Sequence, residues 1–253
     1  MAGNRFSQST TFTTGGAAHT TAPQIQLQSI ANGATGIPVN GRMVLTFDTS
    51  LADACVNTQT VQLTRGGSAV GVTLSLSTDR TQLTITPQAA LSVSAVHTLT
   101  LNGLCDLAGN ALSSVTSSFT TSSVATADTT APTVTITPIN GATNVSPNTT
   151  VTFAFNEPID VTTLAGGTQL TISGLSGEIA GELSVSGNTV TFTPTAPLPG
   201  NKQIFISVSN VRDLAGNAVS RSSSFTTSAS TDVTAPQVVS VTPNNQAIGI
   251  GVS

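Results

Sequence analysis

The chain has 253 residues, of which only 7% are charged, and its formal net charge is −4. So sparse and slightly acidic a charge complement leaves no basic footprint and argues against nucleic acid as a partner. No apolar run approaches the ~20 residues that cross a bilayer as a helix, so no membrane span is expected within this segment.

Hydrophobic residues make up 38% of the chain, with nine Phe and no Trp or Tyr. Cores can be built, though not large aromatic ones, and a sugar-binding face stacked on such rings is disfavoured. Ser, Thr, Gly and Asn dominate the polar part. Solubility therefore rests on hydroxyls and amides, which suits a protein that packs against copies of itself.

Taken in order, the chain opens on Met1-Ala2-Gly3-Asn4 and reaches Phe12-Thr13-Thr14, then Thr21-Ala22-Pro23. Each of these recurs, the first through its Ala-Gly-Asn, which returns at 108–110 and 215–217 as the end of a longer motif. The Phe-Thr-Thr run returns at 119–121 and 225–227, and the Thr-Ala-Pro run at 130–132 and 234–236. Proline fixes its own φ and extends the residue before it, so each Thr-Ala-Pro reads as a short, stiff linker. After Pro23, strands are predicted at 24–30, 42–48, 60–64, 70–76, 82–86, 97–101 and 113–120, each short and either alternating or β-branched. A turn is predicted at Asn32-Gly33-Ala34-Thr35, matched by Asn140-Gly141-Ala142-Thr143.

The strongest repeat marker is Asp106-Leu107-Ala108-Gly109-Asn110, which returns as Asp213-Leu214-Ala215-Gly216-Asn217. Recurrence at a fixed interval is the signature of an array. The residues also have a local reading. Asp at the first corner and Gly at the fourth suit a type I turn closing a bulged hairpin, with Asn tolerant of a left-handed backbone. Asp106, Gly109, Asn110 and Asp213, Gly216, Asn217 are thus expected to join the last two strands of each unit. An ungapped offset of 107 places Leu83, Ile85, Leu91 and Leu101 on Val190, Phe192, Leu198 and Val208, which reads as a shared core. Around 157–164 a single helical turn fits.

About seven short strands per unit, with frequent turn signals and no helical periodicity, predict an all-β chain of tandem β-sandwiches. Partial units are expected at both ends. The expected division is 1–22 as the final strand of a preceding unit plus linker, 23–129 and 130–233 as full domains, and 234–253 as the start of a following one. The array is accordingly read as a slice of a longer polypeptide.

Phe153-Ala154-Phe155-Asn156-Glu157-Pro158-Ile159-Asp160, Thr191-Phe192-Thr193-Pro194, the Asp-Leu-Ala-Gly-Asn hairpins and the Thr-Ala-Pro linkers together resemble the bacterial immunoglobulin-like domains of S-layer and large surface proteins, of the SbsA type. Unit one departs from that pattern, with Asp48-Thr49-Ser50-Leu51 in place of the Asn-Glu-Pro-Ile run. The resemblance implies tandem Ig-like domains in an extracellular or cell-surface bacterial protein, structural or adhesive, with no catalytic residues.

In a sandwich of this topology, Cys55 follows the second strand and Cys105 the sixth, at one pole. A disulfide between them is geometrically reasonable and suits an oxidising setting; two free thiols are the alternative. Four acids of unit two, Asp128, Glu157, Asp160 and Asp213, converge on the corresponding pole. Oxygen ligands of this kind suit Ca²⁺, against which stand turn capping by Asp213 and an ion pair with Arg212. The pole of unit one retains Asp48, Asp53 and Asp106, with His19 where unit two has Asp128. No other cofactor is indicated. No triad, phosphate loop or Cys/His cluster stands out, and His97 aligns with Ile204, so a partly buried strand position is expected for it rather than catalysis. The expected function is structural: modules building a fibre, S-layer or stalk, with other copies or neighbouring units as partners. The alternative is an adhesin segment presenting a ligand-binding region, for which 161–182 is a weak candidate loop.

Overall fold

The computed structural model describes residues 20–164, 170–174, 177–230 and 240. They fall into two compact units. The first holds the residues up to Val134 together with Phe155–Leu170 and Val208–Ser220; the second holds Thr135–Ala154, Thr171–Ser207 and those from Arg221 onward.

The first repeat contains β1 (Ile25–Gln28), β2 (Ala34–Ile37), β3 (Met43–Phe47), β4 (Val61–Arg65), β5 (Ser68–Val70), β6 (Val72–Leu76), β7 (Gln82–Pro87), β8 (Val96–Leu101) and β9 (Val115–Thr121). They form two sheets, ordered β1-β3-β7-β6 and β2-β9-β8-β4-β5. Alternation places Leu83 and Ile85 of β7 and His97, Leu99 and Leu101 of β8 inward. The four apolar ones meet Leu45, Phe47, Leu63 and Phe119 in a single apolar cluster. His97 is 1% exposed and stacks on Phe119, with ring centroids 5.5 Å apart, so it is a core residue rather than a partly buried one.

Two elements differ from the sequence expectation. The predicted turn at 32–35 gives way after Gly33 to β2, which pairs in parallel with β9. The predicted strand at 70–76 is split at Gly71, so β5 and β6 belong to different sheets. The break is local. The Gly71 carbonyl accepts the Gln88 N–H (2.9 Å), and a Cβ at Gly71 would run into the Gln88 side chain.

The second repeat contains β10 (Val134–Thr137), β11 (Val151–Phe155), β12 (Leu170–Gly174), β13 (Gly177–Glu178), β14 (Gly181–Ser186), β15 (Thr189–Pro194), β16 (Gln203–Arg212) and β17 (Ala218–Thr226). Its sheets run β10-β11-β15-β14 and β13-β12-β16-β17. Val151, Phe153, Ile172, Val190, Phe192, Ile204, Ile206 and Phe225 are buried. A 3-10 turn at Val161–Leu164 is the single helical turn expected there. The molecule is all-β, built of tandem sandwiches. No helix among the described residues is long and apolar enough to cross a membrane.

Both repeats pin their first strand in the same way. The Gln24 N–H donates to Asp48 Oδ1 (2.8 Å) and the Asp48 N–H to the Gln24 carbonyl (3.1 Å). In the second repeat the Thr133 N–H donates to Asn156 Oδ1 (2.6 Å) and the Asn156 N–H to the Thr133 carbonyl (3.1 Å). Asp48 and Asn156, which differ between the two sequences, thus have one structural job. The truncated repeat at 1–14, with Phe6 and Phe12, His19, and the run from Pro236 lie outside the described residues, as does part of 161–182.

Candidate functional site

The two Asp-Leu-Ala-Gly-Asn hairpins share the bonds that run from the Asn backbone and side chain to the Asp carboxylate. Asp106 Oδ1 accepts the N–H groups of Ala108 and Asn110, both at 2.8 Å, and Oδ2 accepts Asn110 Nδ2 (2.8 Å). Asp213 Oδ1 accepts the N–H groups of Gly216 (2.6 Å) and Asn217 (2.8 Å), and Oδ2 accepts Asn217 Nδ2 (2.7 Å). Gly109 and Gly216 have φ of 88° and 100°, a backbone region that suits glycine.

Their surroundings differ. Leu107 is 65% exposed, whereas Leu214 is 6% exposed and belongs to the apolar cluster that contains Ile30, Ile37 and Val39 of the first repeat. The Arg42 N–H donates to the Leu214 carbonyl (2.8 Å). The Arg42 guanidinium lies over Gly216, where it occupies the space a Cβ would take. Asn40 holds the linker in a two-bond clamp, donating from Nδ2 to the Asp128 carbonyl (2.8 Å) and accepting the Asp128 N–H at Oδ1 (2.9 Å). Asn217 Nδ2 donates to the same carbonyl (3.2 Å). All of these residues, from the linker, the first-repeat turn and the second-repeat hairpin, lie in the first compact unit. Sequence reasoning missed Asn40, Arg42 and the burial of Leu214. The available signal was Arg42, one of only seven basic residues, placed at the start of a strand.

Beside this joint, Asp128, Glu157 and Asp213 bring carboxylate oxygens within 4.8 Å of one another. Asp160 does not join them. It is buried, and its Oδ1 accepts the Thr162 N–H (3.0 Å), capping the 3-10 turn. Burial raises its pKa, and the Thr162 bonds together with Arg42 and Arg212 pull the other way. Arg212 donates from Nη1 to the Gly216 carbonyl (2.9 Å). Glu157 is held above the ordinary carboxylate range, first by desolvation and then by the charges of Asp128 and Asp213. Such a trio is relieved by a shared proton or by a hard divalent cation. With three of its lone pairs given to the hairpin, Asp213 has one position left for a ligand.

The family model described as Bacterial Ig-like domain matches residues 19–121 and 128–227. The chain belongs to that family. Among solved structures it is similar to the N-terminal part of the bacterial S-layer protein SbsC, at 17% identity and a TM-score of 0.33, covering 82% of this chain and 44% of that one. A structure of SbsC domains 1-6 gives 13% identity and a TM-score of 0.33, covering 82% and 41%. L,D-transpeptidase 3 from Mycobacterium tuberculosis gives 12% identity and a TM-score of 0.28, covering 52% and 44%. The chain therefore spans less than half the length of these proteins, and likenesses at this level carry no functional argument. No curated protein matches the sequence significantly.

In the first Ig-like module the acids have separate partners. Asp48 pins β1, Asp53 pairs with Arg80 (2.7 Å) and Asp106 closes its hairpin. Cys55, at the end of a 3-10 turn, is bonded to Cys105, with Cα atoms 5.6 Å apart. The bond ties the loop after β3 to the segment after β8, next to the Asp106 hairpin. The second module has Leu51's counterpart, Ile159, bridged to Asp213 as Leu51 is to Asp106, and contains no cysteine.

Proposed function

We propose that this chain is a structural segment of a bacterial cell-surface or extracellular protein, in which Ig-like modules set length and are coupled through folded joints rather than loose linkers. The observation that carries this reading is the burial of Leu214, a hairpin residue of the second module, in the apolar cluster of the first. A spacer that transmits position needs such a joint, because free linkers leave modules to move independently. The module boundaries proposed with it are 23–129 and 130–233, with 1–22 and 234–253 contributing to neighbouring units. The Asp128–Glu157–Asp213 trio is proposed to stiffen the joint further by taking Ca²⁺, with water completing the 6–8 oxygen ligands that ion requires. No catalytic step is assigned to the chain.

Imaging of the native assembly by electron cryotomography on intact cells is the direct test. Periodic contacts between copies support the structural role. Isolated stalks carrying a distal ligand-binding region would replace it with the adhesive one.

A further inference from the structure

Four Asn-Gly pairs occur in the chain: Asn32–Gly33, Asn40–Gly41, Asn102–Gly103 and Asn140–Gly141. Asparagine is thermolabile, and this dipeptide carries the reason within itself. The amide nitrogen of the following residue can attack the Asn side-chain carbon, and glycine, with no Cβ, leaves that approach open. Two groups must be free. The glycine N–H has to give up its proton, and the Asn carboxamide has to swing toward it.

In three of the pairs both groups are tied down. The Gly33 N–H donates to the Ser118 carbonyl (2.7 Å), while Asn32 Oδ1 accepts the Ser118 N–H (2.9 Å). Gly141 and Asn140 hold Ser224 in the same way, at 2.7 and 3.0 Å. The Gly41 N–H donates to the Pro38 carbonyl (2.8 Å), and both ends of the Asn40 carboxamide are bonded to the Asp128 backbone (2.8 and 2.9 Å). Exposure does not separate the pairs, since Asn32, Gly33, Asn140 and Gly141 are all exposed. Asn102–Gly103 is different. Both residues are exposed, in the bend between β8 and Cys105. The Asn102 N–H is fixed on the Thr60 carbonyl (2.9 Å), but its carboxamide and the Gly103 N–H have no hydrogen-bond partner among the described residues.

We infer that Asn102 is a site of spontaneous intramolecular modification in the folded protein. The Gly103 nitrogen bonds to Asn102 Cγ as the Cγ–Nδ2 bond breaks. Ammonia leaves with the proton that the glycine amide gives up, and a succinimide ring remains. Water then opens the ring at either carbonyl, giving aspartate or isoaspartate. The reaction needs water alone, so it goes beyond the structural role proposed above and does not depend on it. Aspartate adds a charge to a surface that has few. Isoaspartate also lengthens the backbone between Leu101 and Leu104, which are 1% and 0% exposed, beside the Cys55–Cys105 bond. The second module has Ser209 and Asn210 at these positions, so the change is confined to the first.

The test is peptide mapping by mass spectrometry of the purified 253-residue chain, aged at mildly alkaline pH either folded or in urea. In the folded chain, conversion at Asn102 should outpace that at Asn32, Asn40 and Asn140 about tenfold or more, the scale set by the hydrogen bonds those pairs must first break. In urea the four rates should converge. Conversion at Asn102 no faster than at Asn32 or Asn140 in the folded chain overturns the inference. So does a lead that persists unchanged in urea, which would trace it to local sequence. The Asn102→Gln variant, at an exposed site whose side chain makes no described bond, should lose the main acidic species that ion exchange resolves in the aged parent. Persistence of that species in the variant also overturns it.

Discussion

The same five residues, Asp-Leu-Ala-Gly-Asn, sit in the two modules in different circumstances. In the first, the Leu107 side chain faces solvent; in the second, Leu214 is part of another module's core. The bonds from Asn to the Asp carboxylate are alike in both, so they follow from local sequence. The burial is not local and depends on what the neighbouring module places opposite. A repeat motif therefore has an intrinsic function, closing a hairpin, and a contextual one, joining modules.

The largest expected effect breaks that contrast at the leucine. Leu214→Ala should cost the first compact unit about 2–5 kcal/mol, the range for a buried leucine truncated to alanine. Leu107→Ala, at an exposed site, should stay within about 0.5 kcal/mol. Urea unfolding monitored through probes in the first unit separates the two variants. Next is the covalent difference between modules. Reducing Cys55–Cys105, which closes a separation of 50 residues, should destabilise the first unit by up to about 4 kcal/mol on the chain-entropy account. Unfolding probes on β14 and β15 in the second unit should be unmoved.

Smaller effects sharpen the comparison at the glycines. Both Gly109→Ala and Gly216→Ala put a Cβ on a positive-φ backbone, at a cost of about 1 kcal/mol each. Gly216→Ala must also displace the Arg42 guanidinium, so it should cost more than its twin. A double-mutant cycle with Arg42→Ala measures that excess as a coupling energy. The smallest effect is electrostatic. The folded-state pKa of Glu157 is raised, so its carboxyl supports folding when protonated, and that support is lost as pH rises through the folded value. Glu157→Gln should therefore stabilise the chain at neutral pH in the presence of chelator, with the gain vanishing below the ordinary glutamate pKa. In calcium, the parent should melt higher than in chelator and the variant should respond less. Calcium-independent melting of the parent would remove the cation from the account.

Much of the fold was legible because its causes are local. Period-two alternation at 82–86 and 97–101 is enough to face Leu83, Ile85, Leu99 and Leu101 inward, and Asp-x-x-Gly is enough to turn the chain. What escaped depended on partners distant in sequence. β2 exists because β9 offers it a parallel edge, and the 70–76 run changes sheets because Gln88 bonds the carbonyl of Gly71. Asp160 reads as one more acid of the cluster, yet the Thr162 two residues on competes for its carboxylate and takes it into a cap. The joint escaped for the plainest reason: Leu107 and Leu214 sit in the same Asp-Leu-Ala-Gly-Asn motif, and the motif does not show what surface each one faces.

The central claim is that the second module's hairpin is folded into the first module's body, and the Arg42 N–H donating to the Leu214 carbonyl reports on it directly. Native-state hydrogen exchange at the Arg42 amide should show protection in the parent chain and in Leu107→Ala, and loss of that protection in Leu214→Ala. An Arg42 amide that exchanges in the parent as fast as in an unfolded peptide would contradict the account.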